Sequence, residues 1–334
     1  MSMLQRVTRW LSRAERQPAP ERAPLLSCVL IVHDMMDQAE NTVKSLLCDY
    51  QRDVRPHEYE VIIVENASPR AMRQDFVNSL PDNFHYYLRE HAEPSPGPAI
   101  NFGVARTRGE NICVLIDGAR MLTPGALKYI ILGLGLSDST VVSLPGYHIG
   151  HQLQQEAATS GWDSEQEHHL LQSIAWPLDG YRLFEISCMN ASSALGFFLP
   201  NSESNCISLS RRLWTELGGY DSRFNLPGGG LVNLDFYKRA CEHPGVTHVI
   251  LPGEGTFHQF HGGVTTGGQD TAARGAYIEA SNEQYRQIRG QDYENPRTRP
   301  IFLGEIHEQA QRFLLHSVQM AMQMDSSECL GKPC

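Results

Sequence analysis

The sequence predicts an α/β protein built on a doubly wound, mostly parallel sheet of Rossmann-like type, followed by a helical C-terminal tail. Three observations carry this reading. Residues 25–32, 59–64 and 112–116 are apolar runs too continuous for strands with one wet face, so they read as central strands covered on both sides. Stretches with helical spacing separate them, and strand–helix alternation of this kind winds a parallel sheet. The last of the three runs is followed by Asp117, at the carboxyl edge where open α/β sheets bind their ligands.

Taken in order, residues 1–24 stand apart. Leu4, Val7 and Leu11 fall at helical spacing among Arg6, Arg9, Arg13 and Arg16, with Trp10 alongside and Pro18, Pro20 and Pro24 behind. Over residues 4–16 such a basic amphipathic helix suits the surface of an anionic membrane; a solvated basic arm is the simpler reading. The strand at 25–32 leads to a helix at about 36–49, whose buried face carries Ala39, Val43, Leu46 and Leu47. After the strand at 59–64 comes Glu65-Asn66-Ala67-Ser68-Pro69, then a helix near 70–79 and a strand around 84–88. Residues 97–103 read as a Gly- and Asn-rich turn before a short helix with Arg106 and Arg108. A tight turn follows Asp117, then a helix near 124–136 and a strand at 140–144. Residues 146–190 are polar and without period. Beyond them come a strand at 206–209, a helix near 211–217, the phrase Leu217-Gly218-Gly219-Tyr220-Asp221, the loop Gly228-Gly229-Gly230, a helix at 231–242 and a strand at 246–251. Residues 253–268 read as a glycine- and histidine-rich loop, and 271–325 as helical by composition.

The 334 residues allow one large domain with appendages, and 41% apolar with 20% charged residues is ordinary for a globular chain. A formal charge of −10 argues against a nucleic-acid partner. The 8 cysteines show no Cys-x-x-Cys pair, and Cys28 and Cys113 fall inside strands as small hydrophobes. That usage predicts a reducing, cytoplasmic setting without disulfides. No apolar run approaches membrane-spanning length, and no signal-peptide core opens the chain. The turn after the first strand, His33-Asp34-Met35-Met36, lacks the Gly-x-Gly-x-x-Gly of a dinucleotide site or a Gly-rich nucleotidyltransferase loop, and no Gly-x-Ser-x-Gly elbow exists.

From Leu25 to about Gly263 the order of motifs resembles family 2 glycosyltransferases of the GT-A fold. Segments 27–34, 61–68, 97–117 and 217–239 carry the likeness, above all Asn101-x-Gly103 before the strand that leads to Asp117, and Leu217-Gly218-Gly219-Tyr220-Asp221 before a carboxylate-bearing helix. The resemblance implies a GT-A domain over 25–265, an acceptor-side insertion at 146–205 and a helical extension at 266–334. It implies transfer of a sugar from a nucleotide-diphosphate donor, most simply a UDP-sugar, to a hydroxyl acceptor in glycan biosynthesis. His33 and Asp34, with Asn66, Ser68 and Asn101, would border the nucleotide. Glu65 would accept from the uracil imide N–H, since a carboxylate offers only acceptors; the plain alternative is a cap between strand and helix. Asp117 would touch the ribose and a divalent metal, Mn²⁺ or Mg²⁺, with His258 or His261 completing the metal set.

Two positions depart from that pattern. Ala119 stands where a second aspartate would complete Asp-x-Asp, and Asn233 where a carboxylate would serve as base, a task an amide cannot do. Asp235, Glu203 and Glu254 are the candidate bases nearby, although Asp235 and Arg239 have the spacing of a helix-bracing pair. Arg120, Arg106 or Arg108 would stand in for lost metal charge, because guanidinium forks match phosphate oxygens. The rival reading is a catalytically degenerate GT-A domain that binds nucleotide sugar or glycan without transferring it.

Overall fold

The computed structural model describes residues 23–261 and 271–330; the basic arm over 4–16 and the glycines at 262, 263, 267 and 268 lie outside them. The described residues form twelve strands: β1 (Leu26–Val32), β2 (Tyr59–Asn66), β3 (Phe84–Arg89), β4 (Asn111–Leu115), β5 (Arg120–Leu122), β6 (Thr140–Ser143), β7 (Gly146–Ile149), β8 (Ser187–Met189), β9 (Cys206–Ser210), β10 (Thr247–Ile250), β11 (Thr256–His258) and β12 (Ile301–Phe302). An 8-stranded sheet runs β12-β10-β6-β9-β4-β1-β2-β3, and a 4-stranded sheet runs β5-β11-β7-β8. In the large sheet only β9 is antiparallel, to β4 and to β6. The mostly parallel α/β architecture is therefore the one expected.

The central strands are buried along their whole length, which is why they read as unbroken apolar runs. Each such aliphatic side chain contributes about 1.5–3 kcal/mol of transfer free energy. One face of the sheet packs against helix α1 (Met36–Lys44), and the other against the helix at Gly97–Val104. The latter sits close because Gly103 allows it: a Cβ there would come within 2.5 Å of Val29 Cγ1. Cys28, Cys113 and Cys206 line up as buried free thiols across β1, β4 and β9, behaving as the small hydrophobes expected of strand cysteines.

Several elements differ from expectation. The helix expected at 36–49 stops at Lys44, because Ser45 turns its hydroxyl back to the Thr42 carbonyl and the chain leaves in tight turns. Only Gln74–Asn78 of the stretch near 70–79 is helical. Residues 97–103 are themselves helix, and Arg106 and Arg108 lie beyond its end. The polar segment expected to be irregular holds β7, a helix at Gln154–Thr159, helix α2 (Ser164–Ser173) and β8. A capping box between Asp163 and Gln166 starts α2 without any apolar period to announce it. The loop at 253–268 contains β11, and the tail, besides helices Thr271–Arg289 and Leu314–Leu330, adds β12 in parallel to β10. No described helix is long and apolar enough to cross a membrane.

Candidate functional site

Asp117 lies just past β4, where the chain turns into β5. The turn is held by its own carboxylate, whose Oδ1 accepts the Ala119 N–H at 2.9 Å, an Asx-turn that fixes where the second oxygen points. Oδ2 accepts from Arg120 Nε at 2.9 Å. From the far end of the domain β11 brings His258 and the residue three beyond it, His261. The ligand atoms of Asp117, His258 and His261 lie within 4.8 Å of one another, and the two Nε2 atoms are 3.0 Å apart.

The small sheet builds this centre by register. Arg120 on β5 pairs with His258 on β11, which pairs with His148 on β7, which pairs with Cys188 on β8. Register partners point to the same face, so a guanidinium, two imidazoles and a thiol stand in one row. Burial, then the nearby Arg120, holds His148 down to about 3. Burial, then Arg120, His261 and His148, pushes His258 well below the usual imidazole value. Burial also lowers His261, against an opposing pull from Asp117. The imidazoles are therefore neutral at physiological pH and keep lone pairs for a ligand. Arg120 is 9% exposed, and its Nη1 is buried without a partner in the structure. An orphaned guanidinium N–H at a buried site is costly unless something accepts from it.

The donor set suits a divalent cation. A carboxylate with two neutral imidazoles is the mixed oxygen–nitrogen set that Mn²⁺ and related ions take. The 3.0 Å between the Nε2 atoms matches adjacent corners of an octahedron with bonds of about 2.1 Å, which lie roughly 3 Å apart. Ala119, by contrast, is fully buried in the apolar cluster that includes Val32, Met35 and Ala39. Position 119 points into the core, so the absent second carboxylate leaves no gap in the cluster.

The expected nucleotide-side residues form a braced loop. Asp34 has φ 48°, and its N–H donates to Ser68 Oγ at 2.8 Å; Ser68 in turn donates to Glu65 Oε1. Glu65 is fully buried, and its Oε2 also accepts from the Met72 N–H at 3.0 Å and the Tyr86 hydroxyl at 3.2 Å. Its carboxylate is thus occupied by the chain's own donors. His33 Nδ1 donates to the Asn66 carbonyl at 2.8 Å, and Arg89 holds the Asn66 side chain at 2.7 Å. Asn101 clasps the backbone of Tyr220 in both directions, at 2.8 and 3.0 Å. Gly219, φ 68°, has to be glycine there, since a Cβ would meet Asn101 Oδ1 at 2.7 Å. The two motifs that carried the resemblance are therefore one physical clasp. Arg106 stacks on Phe102, and Arg108 pairs with Glu60 at 3.0 Å, so both arginines are engaged away from Asp117. A cavity of about 720 Å³ between α1 and α2 has Asp34, Arg70 and His261 in its wall.

The candidate bases separate cleanly. Helix α3 (Val232–Cys241) carries Asn233 and Asp235. Asp235 is 1% exposed, with Arg239 Nε on Oδ2 at 2.8 Å and Arg289 Nε on Oδ1 at 2.6 Å. Arg289 reaches on to Asp221 at 2.9 Å, while Arg239 donates to the carbonyls of Leu217 and Gly219. Asp235 thus braces the Gly-Gly-Tyr-Asp turn. Glu254 is fully buried, accepting from Thr123 and from the Tyr181 hydroxyl at 2.9 Å. Glu203 differs: it is half-buried, and Asn233 Nδ2 donates to its Oε2 at 2.7 Å. The Tyr220 hydroxyl fixes the Asn233 amide from the other side at 2.9 Å. The carboxylate lacking at position 233 is held against that position from a neighbouring loop. That loop runs beside β4, since the Asn205 carbonyl accepts the Ile116 N–H at 3.4 Å.

No protein-family profile matches the chain, and no characterised protein matches it by sequence. Solved structures do match. The mannosyltransferase PcManGT from Pyrobaculum calidifontis, in complex with GDP-Man and Mn²⁺, is 14% identical over 98% of this chain and 82% of its own, with a TM-score of 0.50. Residues 1–349 of TarS from S. aureus are 12% identical over 89% of this chain and 72% of that one, with a TM-score of 0.46. With the sheet order above, the first likeness makes this the GT-A type of fold.

Proposed function

We propose that this chain is a glycosyltransferase that moves a sugar from a nucleotide-diphosphate donor to a hydroxyl acceptor. The observation that carries the reading is the convergence of Asp117, His258 and His261 at the carboxyl edge of the sheet, on a fold whose solved mannosyltransferase neighbour holds GDP-Man and Mn²⁺. Asp117, His258 and His261 would hold Mn²⁺ or Mg²⁺; when bound, the ion supplies positive charge against the leaving diphosphate. The unpartnered Arg120 Nη1 gives a phosphate oxygen one more N–H. His33 and Asp34 border the base. Glu203, oriented by Asn233, takes the acceptor's hydroxyl proton as the new glycosidic bond forms and the bond to the diphosphate breaks.

The test is calorimetric titration of UDP, with GDP as control, in Mn²⁺ and then in EDTA. Binding of either nucleotide in Mn²⁺ that is lost in EDTA is expected. Binding indifferent to EDTA would give the site to Arg120 alone. No binding to either would sink the donor site and favour the degenerate glycan-binding domain. Glu203→Gln should lower transfer by about 100-fold or more while leaving nucleotide affinity unchanged; unchanged transfer removes Glu203 as the base.

A further inference from the structure

Gln154 opens the helix at Gln154–Thr159, in the polar segment between β7 and β8 of the small sheet, and is fully buried. Three of its polar groups face histidines of the row described above. The side-chain Nε2 donates to the His258 backbone carbonyl at 2.9 Å, the side-chain Oε1 meets His258 Nδ1, and the backbone N–H donates to His148 Nδ1 at 3.0 Å.

These contacts leave no choice of proton position. A carbonyl can only accept, so the amide nitrogen of Gln154 must face the His258 carbonyl, and its oxygen must face His258 Nδ1. That oxygen can only accept, so His258 Nδ1 carries the hydrogen and Nε2 the lone pair. A backbone N–H can only donate, so His148 Nδ1 carries a lone pair and its hydrogen sits on Nε2. One residue thus sets two neighbouring imidazoles, with ring centroids 5.6 Å apart, in opposite tautomers.

We infer that Gln154 is a positioning residue of the donor site: it commits His258 Nε2 to the ion shared with Asp117 and His261, and keeps His148 as an N–H donor in the same row. The inference rests on the transferase reading for the identity of the ion. Hydrogen bonds to the remote nitrogen of a ligating imidazole orient the ring and fix its tautomer. It also makes the segment around residue 154 part of the donor site rather than of the acceptor side alone. His261 is the freer partner. Without an ion its Nε2 must donate to His258 Nε2 across the 3.0 Å gap; ion binding therefore demands a tautomer change at His261 and none at His258.

The experiment uses the full chain labelled with ¹⁵N-histidine, with long-range ¹H–¹⁵N correlations reading each tautomer, and electron paramagnetic resonance of unbound Mn²⁺ reading affinity. Wild type is expected to show His258 as Nδ1–H and His148 as Nε2–H. Gln154→Met should mix the His258 tautomers and weaken Mn²⁺ binding about 10–100-fold. Gln154→Glu still accepts from Nδ1 and should restore the tautomer. His148 answers to the backbone N–H, so its tautomer stays Nε2–H in every folded variant and serves as the internal control. Wild-type His258 found as Nε2–H overturns the inference, as does a Gln154→Met protein that keeps both the tautomer and the Mn²⁺ affinity. Wild type with the expected tautomers but no Mn²⁺ binding would instead overturn the metal reading of the site and leave the tautomer assignment standing.

Discussion

Asp117 and Asp235 are both aspartates beside arginines, and their surroundings give them opposite work. Around Asp235 two guanidiniums cover both oxygens, and the same guanidiniums tie down Asp221 and the backbone of Leu217 and Gly219. Both oxygens of Asp235 have partners from the chain itself. Around Asp117 there is one guanidinium with an orphaned N–H and a pair of imidazoles held neutral by burial. Capacity is left over on that side alone. A carboxylate whose charge is fully answered within the chain holds structure, and one whose neighbours have unmatched donors and lone pairs is set up to hold something else.

The sharpest way to break this contrast is at Asp235. Asp235→Ala would leave Arg239 without an anion and Arg289 with Asp221 alone, and a cost of about 3 kcal/mol is expected in urea unfolding. Nucleotide affinity of the folded fraction should not change. A variant that unfolds like wild type but has lost transfer would make Asp235 the base instead of a brace. Next is Ala119→Asp, the substitution that writes the missing Asp-x-Asp back in. Because Ala119 faces the apolar cluster, this should cost about 3 kcal/mol by burying a carboxylate and should not tighten Mn²⁺ binding. Tighter Mn²⁺ binding would show that position 119 can turn towards the ion. Asp117→Ala is expected to lower the unfolding midpoint, since Arg120 loses its anion and the turn its brace, and in the folded fraction to weaken Mn²⁺-dependent nucleotide binding about 100-fold, close to 2.7 kcal/mol. Unchanged nucleotide affinity and turnover would remove Asp117 from the site.

The smallest effect is a dependence on pH. His148 and His248 are lowered by burial to about 3 and about 4, so in acid the unfolded chain takes up protons that the native one refuses. Each then removes about 1.4 kcal/mol of stability per pH unit as pH falls below about 6.5. Glu167 works the other way. Burial raises it to about 8, so the unfolded chain loses a proton that the native one keeps, and stability falls as pH rises towards 8. Maximum stability is therefore expected near pH 6.5, read from denaturant midpoints across pH 5–8. Glu167→Gln should flatten the alkaline side and steepen the acid side, where Glu167 opposes the histidines; an unchanged alkaline slope would clear Glu167 of that role.

Much of the fold was legible because its signals are local. The runs that became β1, β2 and β4 needed only their own residues, and Asp117 followed from lying just beyond one of them. The clasp between Asn101 and Tyr220 was visible as two motifs, though not as one contact. The site was less legible. Arg239 is one helical turn from Asp235 and could be read from spacing, whereas Arg289 arrives from 54 positions away. Glu203 stands in for position 233 through a contact spanning 30 positions. Gln154 and His148 were missed altogether, since a polar stretch without period gives no hint of which residue will face His258 from 104 positions off. Cross-strand register is what joins His148 to His258, with Gln154 reaching in from a helix, and a strand only three residues long, such as β11, has too few residues to betray its register.

The strand at Ile301–Phe302 has a consequence for the order in which the molecule is made. It closes the open side of β10, and the segment after it lies so near Gly253 that a Cβ there would collide with the Glu305 carbonyl. Until that segment leaves the ribosome, β10 presents an unpaired edge, the kind of surface that recruits strands from other chains. About 50 residues separate the two strands, and at about 5–20 residues per second the edge stays bare for roughly 3–10 seconds. A nascent chain stalled short of residue 300 is then the form most in need of a chaperone, although every other strand of the large sheet has already been synthesised.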